Sequence, residues 1–126
     1  MLLVASEDNI VYALDATTAH EVWRRLLGKP VARSSLRCGN IDPLGITGTP
    51  VIDETRGAIY LDAAVDGSSG PRHLVFPLSL EDGAPLPDWP VDIAATPARL
   101  GYPPMSAHIF LDSDCGLLIA KDTNFS

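Results

Sequence analysis

Residues 10–23 constrain the fold of this chain most, because they contain two strand patterns joined by a turn. The side chains of residues 10–14 fall alternately on two faces, with the period of two that is expected of a β-strand. Small and polar residues at 15–20 favour a tight turn, and residues 21–23 resume the strand pattern. The sequence therefore predicts a β-hairpin here.

Further strand patterns lie on both sides of this hairpin. Residues 2–6 precede it across a turn, so residues 2–27 predict a three-stranded meander. Residues 45–53 predict a glycine-rich turn that leads into a strand, and further strands are predicted at residues 58–65, 73–80 and 86–91, with a loop at residues 66–71. The inward residues of the strand at 58–65 are predicted to be Ile59, Leu61, Ala63 and Val65. Residues 107–112 and 117–120 predict a final hairpin.

Composition supports the same fold class. The chain has 126 residues, the size of one domain, and 46% hydrophobic with 20% charged residues is typical of a globular protein. Eleven prolines and ten glycines are spread along it, which favours many short strands over a few long helices.

The charge of the chain disfavours two classes of partner. Nine basic against sixteen acidic side chains give a net charge of −7, which repels phosphate backbones and anionic lipids. No apolar run reaches the roughly 18 residues that span a bilayer. The apolar residues 1–6 lack a basic leader and predict a strand, not a secretion signal.

The two cysteines, Cys38 and Cys115, lie in unlike contexts. Neither belongs to a CxxC or Cys/His spacing, so a zinc site is disfavoured. A disulfide requires close approach of the two residues, which sequence does not establish, so a disulfide and two unpaired thiols both remain open.

An internal repeat connects the two groups of strands. Residues 11–19, Val-Tyr-Ala-Leu-Asp-Ala-Thr-Thr-Ala, align with residues 75–83, Val-Phe-Pro-Leu-Ser-Leu-Glu-Asp-Gly, at an offset of 64 residues. Trp23 then aligns with Trp89 if two residues are inserted before Trp89. Both copies end in a turn, the second of them at Gly83.

This repeat resembles that of the pyrroloquinoline-quinone (PQQ) type β-propellers, an Ala-x-Asp-x-x-Thr-Gly turn followed by a tryptophan. Ala13, Asp15, Thr18 and Trp23 stand at the matching places, and Ala19 stands where the family has glycine. Residues 38–53 also look like the inter-blade loop and innermost strand of such proteins. The resemblance implies an all-β fold of antiparallel four-stranded blades in an incomplete ring, with Trp23 docked between blades.

The resemblance also implies a domain organisation. Residues 1–96 would form propeller blades, with 1–28 the end of one blade and 45–93 the next, while residues 97–126 form a weakly matching tail that could begin a further blade. Two blades cannot close a ring, so we expect a piece of a longer protein, partnered by the remaining blades or by itself. Relatives of this kind suggest a periplasmic or extracellular location.

No catalytic constellation is evident in the sequence. Residues 45–49 are glycine-rich but lack the lysine and the following helix of a phosphate loop. His20, His73 and His108 share no motif, and residues 112–116 contain only a fragment of a calcium-loop pattern. We therefore predict no catalytic residue and no metal ligand.

One loop concentrates polar residues between the two copies of the repeat. Loops that lead into innermost strands of propellers gather at one mouth of the channel, where ligands bind. Arg37, Asn40 and Asp42 are therefore the candidates for a binding face, and a hydrogen-bonded structural loop is the competing interpretation.

Two functions follow from the resemblance. The first is a noncatalytic binding or scaffold module with no evident cofactor. The alternative is a fragment of a quinone-dependent alcohol or sugar dehydrogenase, which would hold PQQ with calcium. Whether the chain is enzymatic is left open by the sequence.

Overall fold

The computed structural model describes residues 1–36, 39–87, 89–93, 110–111 and 117–118 of the chain. Over these residues the protein is all-β and its sheets are antiparallel, as predicted. A single turn of 3₁₀ helix, Arg33–Ser35, is the one helical element in the part of the chain that is described.

The first sheet is the predicted meander. It contains β1 (Leu2–Ala5), β2 (Ile10–Leu14) and β3 (Glu21–Leu26), in the order β1-β2-β3. The pairing of β2 with β3 shifts beside Ala13, so β3 carries one extra residue next to the turn. The hairpin predicted at residues 10–23 is confirmed.

The second sheet contains four strands in the order of the chain. They are β4 (Val51–Asp53), β5 (Ala58–Gly67), β6 (Gly70–Ser79) and β7 (Val91–Asp92). The alternation predicted on β5 is confirmed: Ile59, Leu61 and Ala63 are buried, and Val65 is half-buried against the core.

The loop predicted at residues 66–71 is wrong. β5 and β6 pair without interruption out to Gly67 and Gly70, which leaves a turn of only two residues. Glycine, serine and proline favour a loop at these positions, but β5 and β6 continue their pairing and make further contacts here. Asp66 donates its backbone N–H to the carbonyl of Lys29 at 2.8 Å, and the two side chains form an ion pair at 3.5 Å.

The strand predicted at residues 86–91 is shorter than expected. Only Val91–Asp92 forms β7, while Pro85 makes an isolated bridge with Leu78. Prolines at positions 85, 87 and 90 lack the N–H that a sheet ladder requires, which accounts for the late start of the strand.

A third pair of strands lies near the end of the chain. β8 (Phe110–Leu111) pairs with β9 (Leu117–Leu118), which confirms the two strands of the final predicted hairpin. Its turn, Cys38, Cys115, His108 and most of residues 97–126 lie outside the described residues. Within the described part of the chain, no helix has the length and hydropathy needed to cross a membrane.

The core lies between the first and second sheets. β2 and β3 supply Val11, Ala13 and Trp23 from one side. From the other side β5 and β6 supply the apolar residues Ile59, Leu61, Ala63, Leu74, Phe76 and Leu78. The two sheets therefore pack face to face around one hydrophobic layer.

Candidate functional site

Trp23 joins the two sheets through both its ring and its N–H. Position 23 lies on the face of β3 that points to the second sheet, and only 8% of the residue is exposed. The indole Nε1 donates a hydrogen bond to the carbonyl of Leu80 at 3.1 Å. Because a buried indole N–H needs an acceptor, this bond fixes where the ring can lie.

Gly83 provides the space for this ring. A Cβ atom at position 83 would lie 2.5 Å from Cε3 of the Trp23 indole, so no side chain fits there. Its φ of 69° also lies in the left-handed region that glycine adopts most readily. Arg25 donates from Nε to the carbonyl of Gly83 at 2.8 Å, which ties β3 to the same turn.

The turn that receives Trp23 has the same backbone hydrogen bonds as the turn that follows β2. After β2, Ala19 N–H donates to the carbonyl of Asp15 at 2.8 Å, and Asp15 N–H donates to the carbonyl of His20 at 2.8 Å. The two matching bonds after β6 run from Gly83 N–H to Ser79 O at 2.9 Å and from Ser79 N–H to Ala84 O at 2.8 Å. Ala19 has a φ of 59°, close to that of Gly83.

The correspondence extends beyond the turns. Leu27 N–H donates to the carbonyl of Asn9 at 2.8 Å, and Ile93 N–H donates to the carbonyl of His73 at 3.1 Å. The offset is 64 residues for the acceptors and 66 for the donors, as the alignment with two inserted residues requires. The first and second sheets therefore share one pattern of hydrogen bonds.

The same register relates the two tryptophans. Trp23 lies two residues before Arg25, the partner of Val11 on β2. Trp89 lies two residues before Val91, which pairs with Val75, the aligned residue of β6. The Trp89 ring is half-buried and meets the ring of Tyr60 edge to face at 6.2 Å between centroids.

Asp15 and Thr18 have local roles in the first turn. One carboxylate oxygen of Asp15 accepts the backbone N–H groups of Thr17 and Thr18, each at 2.8 Å. These hydrogen bonds, that of Thr18 first, lower the pKa of Asp15. Asp82 accepts the N–H of Ala84 at 2.9 Å in the second turn. Asp15 and Asp82 therefore each accept backbone N–H groups of their own turn.

A second polar contact crosses between the sheets at Asn9. Asn9 is fully buried, and its Nδ2 donates to the carbonyl of Ala64 on β5 at 2.7 Å. Its φ of 61° lies in the left-handed region, which asparagine tolerates better than most residues. The Oδ1 atom makes no hydrogen bond with the described residues and lies against Gly45.

Glu7 extends this contact to the segment before β4. Its carboxylate accepts the N–H of Gly45 at 2.7 Å and the hydroxyl of Thr47 at 2.9 Å. A Cβ at position 45 would overlap the carbonyl of Glu7, so glycine is required for this close approach. Gly45 and Thr47 of the glycine-rich segment therefore contact the turn between β1 and β2.

A histidine–aspartate pair lies on the other face of the second sheet. His73 Nε2 is 2.7 Å from Oδ2 of Asp62, and His73 is buried. This hydrogen bond lowers the pKa of the Asp62 carboxyl, although partial burial acts in the opposite direction. The Nδ1 atom of His73 makes no hydrogen bond with the described residues.

Two of the three predicted binding-face residues, Asn40 and Asp42, lie in the described part of the chain and take no part in these contacts. Asp42 is exposed, and its carboxylate accepts the backbone N–H of Arg33 at 3.0 Å, while the Arg33 side chain donates to the carbonyl of Gly39. Asn40 is exposed, and Arg37 lies outside the described residues. The contact of Asp42 favours the structural-loop interpretation for that residue.

Comparisons with known proteins were made at three levels. No family model, curated protein or solved structure matches this chain. The functional interpretation therefore rests on the fold and on the contacts between the sheets.

A cavity of about 160 Å³ lies between the sheets, beside β1 and β4. Its lining is Leu3, Val4, Ala5, Val11, Pro50, Ile52, Ile59 and Leu61. It offers no cation for an anionic quinone, and no group of three or more His, Cys, Asp or Glu in the described ranges could hold a metal ion.

Proposed function

We propose that this chain is a segment of a β-propeller with PQQ-type repeats and acts as a noncatalytic binding or scaffold module. The repeated hydrogen-bond pattern, with Trp23 docked on the turn at Gly83, is the observation that carries the proposal. In this interpretation the first and second sheets are consecutive blades. Their shared geometry serves to stack one blade on the next, and the polar side chains at the contact bind backbone groups.

The faces of the two sheets support this arrangement. Residues of β2 correspond to residues of β6 at the offset of 64. Through the strand pairings, Leu2 and Val4 of β1 then correspond to Ile59 and Leu61 of β5. The latter two are buried against the first sheet, whereas Leu2 is 53% exposed. The outer face of the first sheet is therefore equivalent to a face that the second sheet buries. A further blade would cover it in the same manner.

Self-association in solution tests whether these apolar sheet faces are uncovered. We expect the isolated chain to associate with increasing concentration in sedimentation velocity, because exposed apolar sheet faces favour association. Leu26→Ser, on the outer face of β3 where the residue is 62% exposed, should reduce association. Ala16→Ser, in the exposed turn after β2, is the control. A monodisperse, cooperatively unfolding monomer would contradict the proposal.

Reconstitution distinguishes a scaffold from a quinoprotein. The chain is mixed with PQQ and Ca²⁺, freed of unbound quinone and assayed for a bound chromophore and for alcohol-dependent dye reduction. The proposal predicts neither signal. Stoichiometric quinone together with dye reduction would replace the scaffold function by a dehydrogenase function.

A further inference from the structure

The sequence of residues 117–125 repeats that of residues 2–10. The two read Leu-Leu-Ile-Ala-Lys-Asp-Thr-Asn-Phe and Leu-Leu-Val-Ala-Ser-Glu-Asp-Asn-Ile, with four identical positions and three more of similar character. Asn124 stands in the place of Asn9, the asparagine that is buried between the sheets. By this alignment β9 corresponds to the start of β1.

The structure gives β9 the same kind of neighbour that β5 has. β1 corresponds to β5 through the strand pairings, so β9 should correspond to β5 as well, with position 117 in the place of Ile59. β5 is preceded in the chain by an antiparallel partner, β4, and β9 is preceded by an antiparallel partner, β8. The matching pairs follow in the same order, with a connection one residue shorter in the second hairpin: Ile52 with Ile59 and Val51 with Tyr60, then Leu111 with Leu117 and Phe110 with Leu118. β8 and β9 therefore correspond to β4 and β5.

The positions through which the first sheet contacts the second recur on the second sheet. Asn9, Val11 and Trp23 lie on the face of the first sheet that points to β5 and β6. Their counterparts in the second sheet are, in the same order, His73, Val75 and Trp89. Leu74 and Phe76 lie on the core face of β6, so alternation places these counterparts on the opposite face, here called the far face.

The far face is also suited to close packing. His73 and Pro77 are buried on it, although the first sheet lies on the other side. Pro77 corresponds to Ala13, which is fully buried against the second sheet. At these positions the far face is as buried as the face through which the first sheet docks.

We infer that β8 and β9 begin a third unit and that this unit docks on the far face of the second sheet. The occupant of that face is a segment of the same chain, which repeats the contact between the first and second sheets. In that contact Val11 and Ile59 line one cavity within the core. Position 117 should therefore lie beside Val75. The inference rests on the proposed function in one respect, that the sheets repeat one unit.

Substitutions in β9 of the full chain test this docking by NMR. The two tryptophans give separate indole N–H signals, and Trp89→Phe identifies the signal from the far face. Leu117→Asp should shift the Trp89 indole signal, leave that of Trp23 in place, and speed hydrogen exchange of the β6 amides at least about tenfold, because a carboxylate beside Val75 opens the contact. Leu118→Asp is the matched control, because position 118 corresponds to Tyr60 and falls on the opposite side of its strand.

A variant of the second sheet tests the contact from the other side. Val75→Thr, which nearly keeps the shape of the side chain, should shift the amide signals of β9, whereas Val22→Thr on the exposed outer face of the first sheet should not.

Three results would overturn the inference. They are an unchanged Trp89 signal in Leu117→Asp, equal changes in Leu117→Asp and Leu118→Asp, and a Trp89 signal of the natural protein that shifts on dilution. The last would assign the far face to a second copy of the chain. These results are separable from failure of the proposed function, which is read from sedimentation and quinone binding.

Discussion

The six-membered ring of the Trp23 indole lies against the Cα atom of Gly83, where even a methyl group would overlap it. The same turn conformation recurs after β2 with Ala19 in the place of Gly83. Alanine is accommodated there because Ala19 is exposed. The two positions therefore share a backbone conformation and differ in whether a tryptophan is docked on them.

One substitution at each of the two positions distinguishes backbone strain from steric overlap with the tryptophan ring. Ala19→Gly should stabilise the protein by up to about 1 kcal/mol, because it relieves a positive φ. Gly83→Ala should cost about 2–4 kcal/mol, since it adds overlap with Trp23 to the same strain. Urea unfolding measures both changes. Effects of equal size and opposite sign would show that the ring contact adds nothing.

The buried amide of Asn9 makes a further prediction. Asn9→Asp should lower the free energy of unfolding by about 2–4 kcal/mol, because a carboxylate replaces the donor that bonds Ala64 and faces its carbonyl. Asn40→Asp makes the same change in an exposed loop and should stay within about 0.5 kcal/mol. Thermal or urea unfolding at neutral pH compares the two. Similar costs at both positions would contradict the role of Asn9.

Acid unfolding tests the pair of Asp62 and His73. The hydrogen bond from His73 lowers the pKa of Asp62, so the folded protein binds the proton less tightly than the unfolded chain. The stability it contributes is present above the unfolded pKa of about 4 and is lost as pH falls through the lowered folded pKa.

The measurement is the difference in unfolding free energy between the natural protein and Asp62→Asn. This difference should shrink as the pH falls from about 5 to 2. Asp8→Asn, in the exposed turn between β1 and β2, is the control for a general effect of carboxylate removal. A difference that stays constant over this range would contradict the assignment.

The strands and turns that have a pattern in their own residues could be predicted from the sequence. Alternation located the buried side of β5, and turn residues located the hairpin of β2 and β3. The hairpin of β5 and β6 was predicted too short, because turn-forming residues continue the ladder once a partner strand is available. The predicted start of β7 is too early, because the three prolines before it lack the N–H that a sheet ladder requires.

The contacts between the sheets were only partly predictable. Trp23 was found because the repeat aligns it with a second tryptophan, and Gly83 because it ends the second copy. The sequence predicts only a turn at Asn9, since the burial of this residue depends on Ala64 and Gly45, far away in sequence. Its alignment with His73 at the same offset was the available signal.

A double-mutant cycle between Trp23→Ala and Gly83→Ala tests most directly whether Trp23 docks the two sheets. Gly83→Ala should be much less costly once the indole is absent, with a coupling of at least about 1 kcal/mol in urea unfolding. The parallel cycle of Trp89→Ala with Gly83→Ala should be additive within about 0.5 kcal/mol. Additivity in the Trp23 cycle as well would contradict the docking of the first sheet on the turn at Gly83.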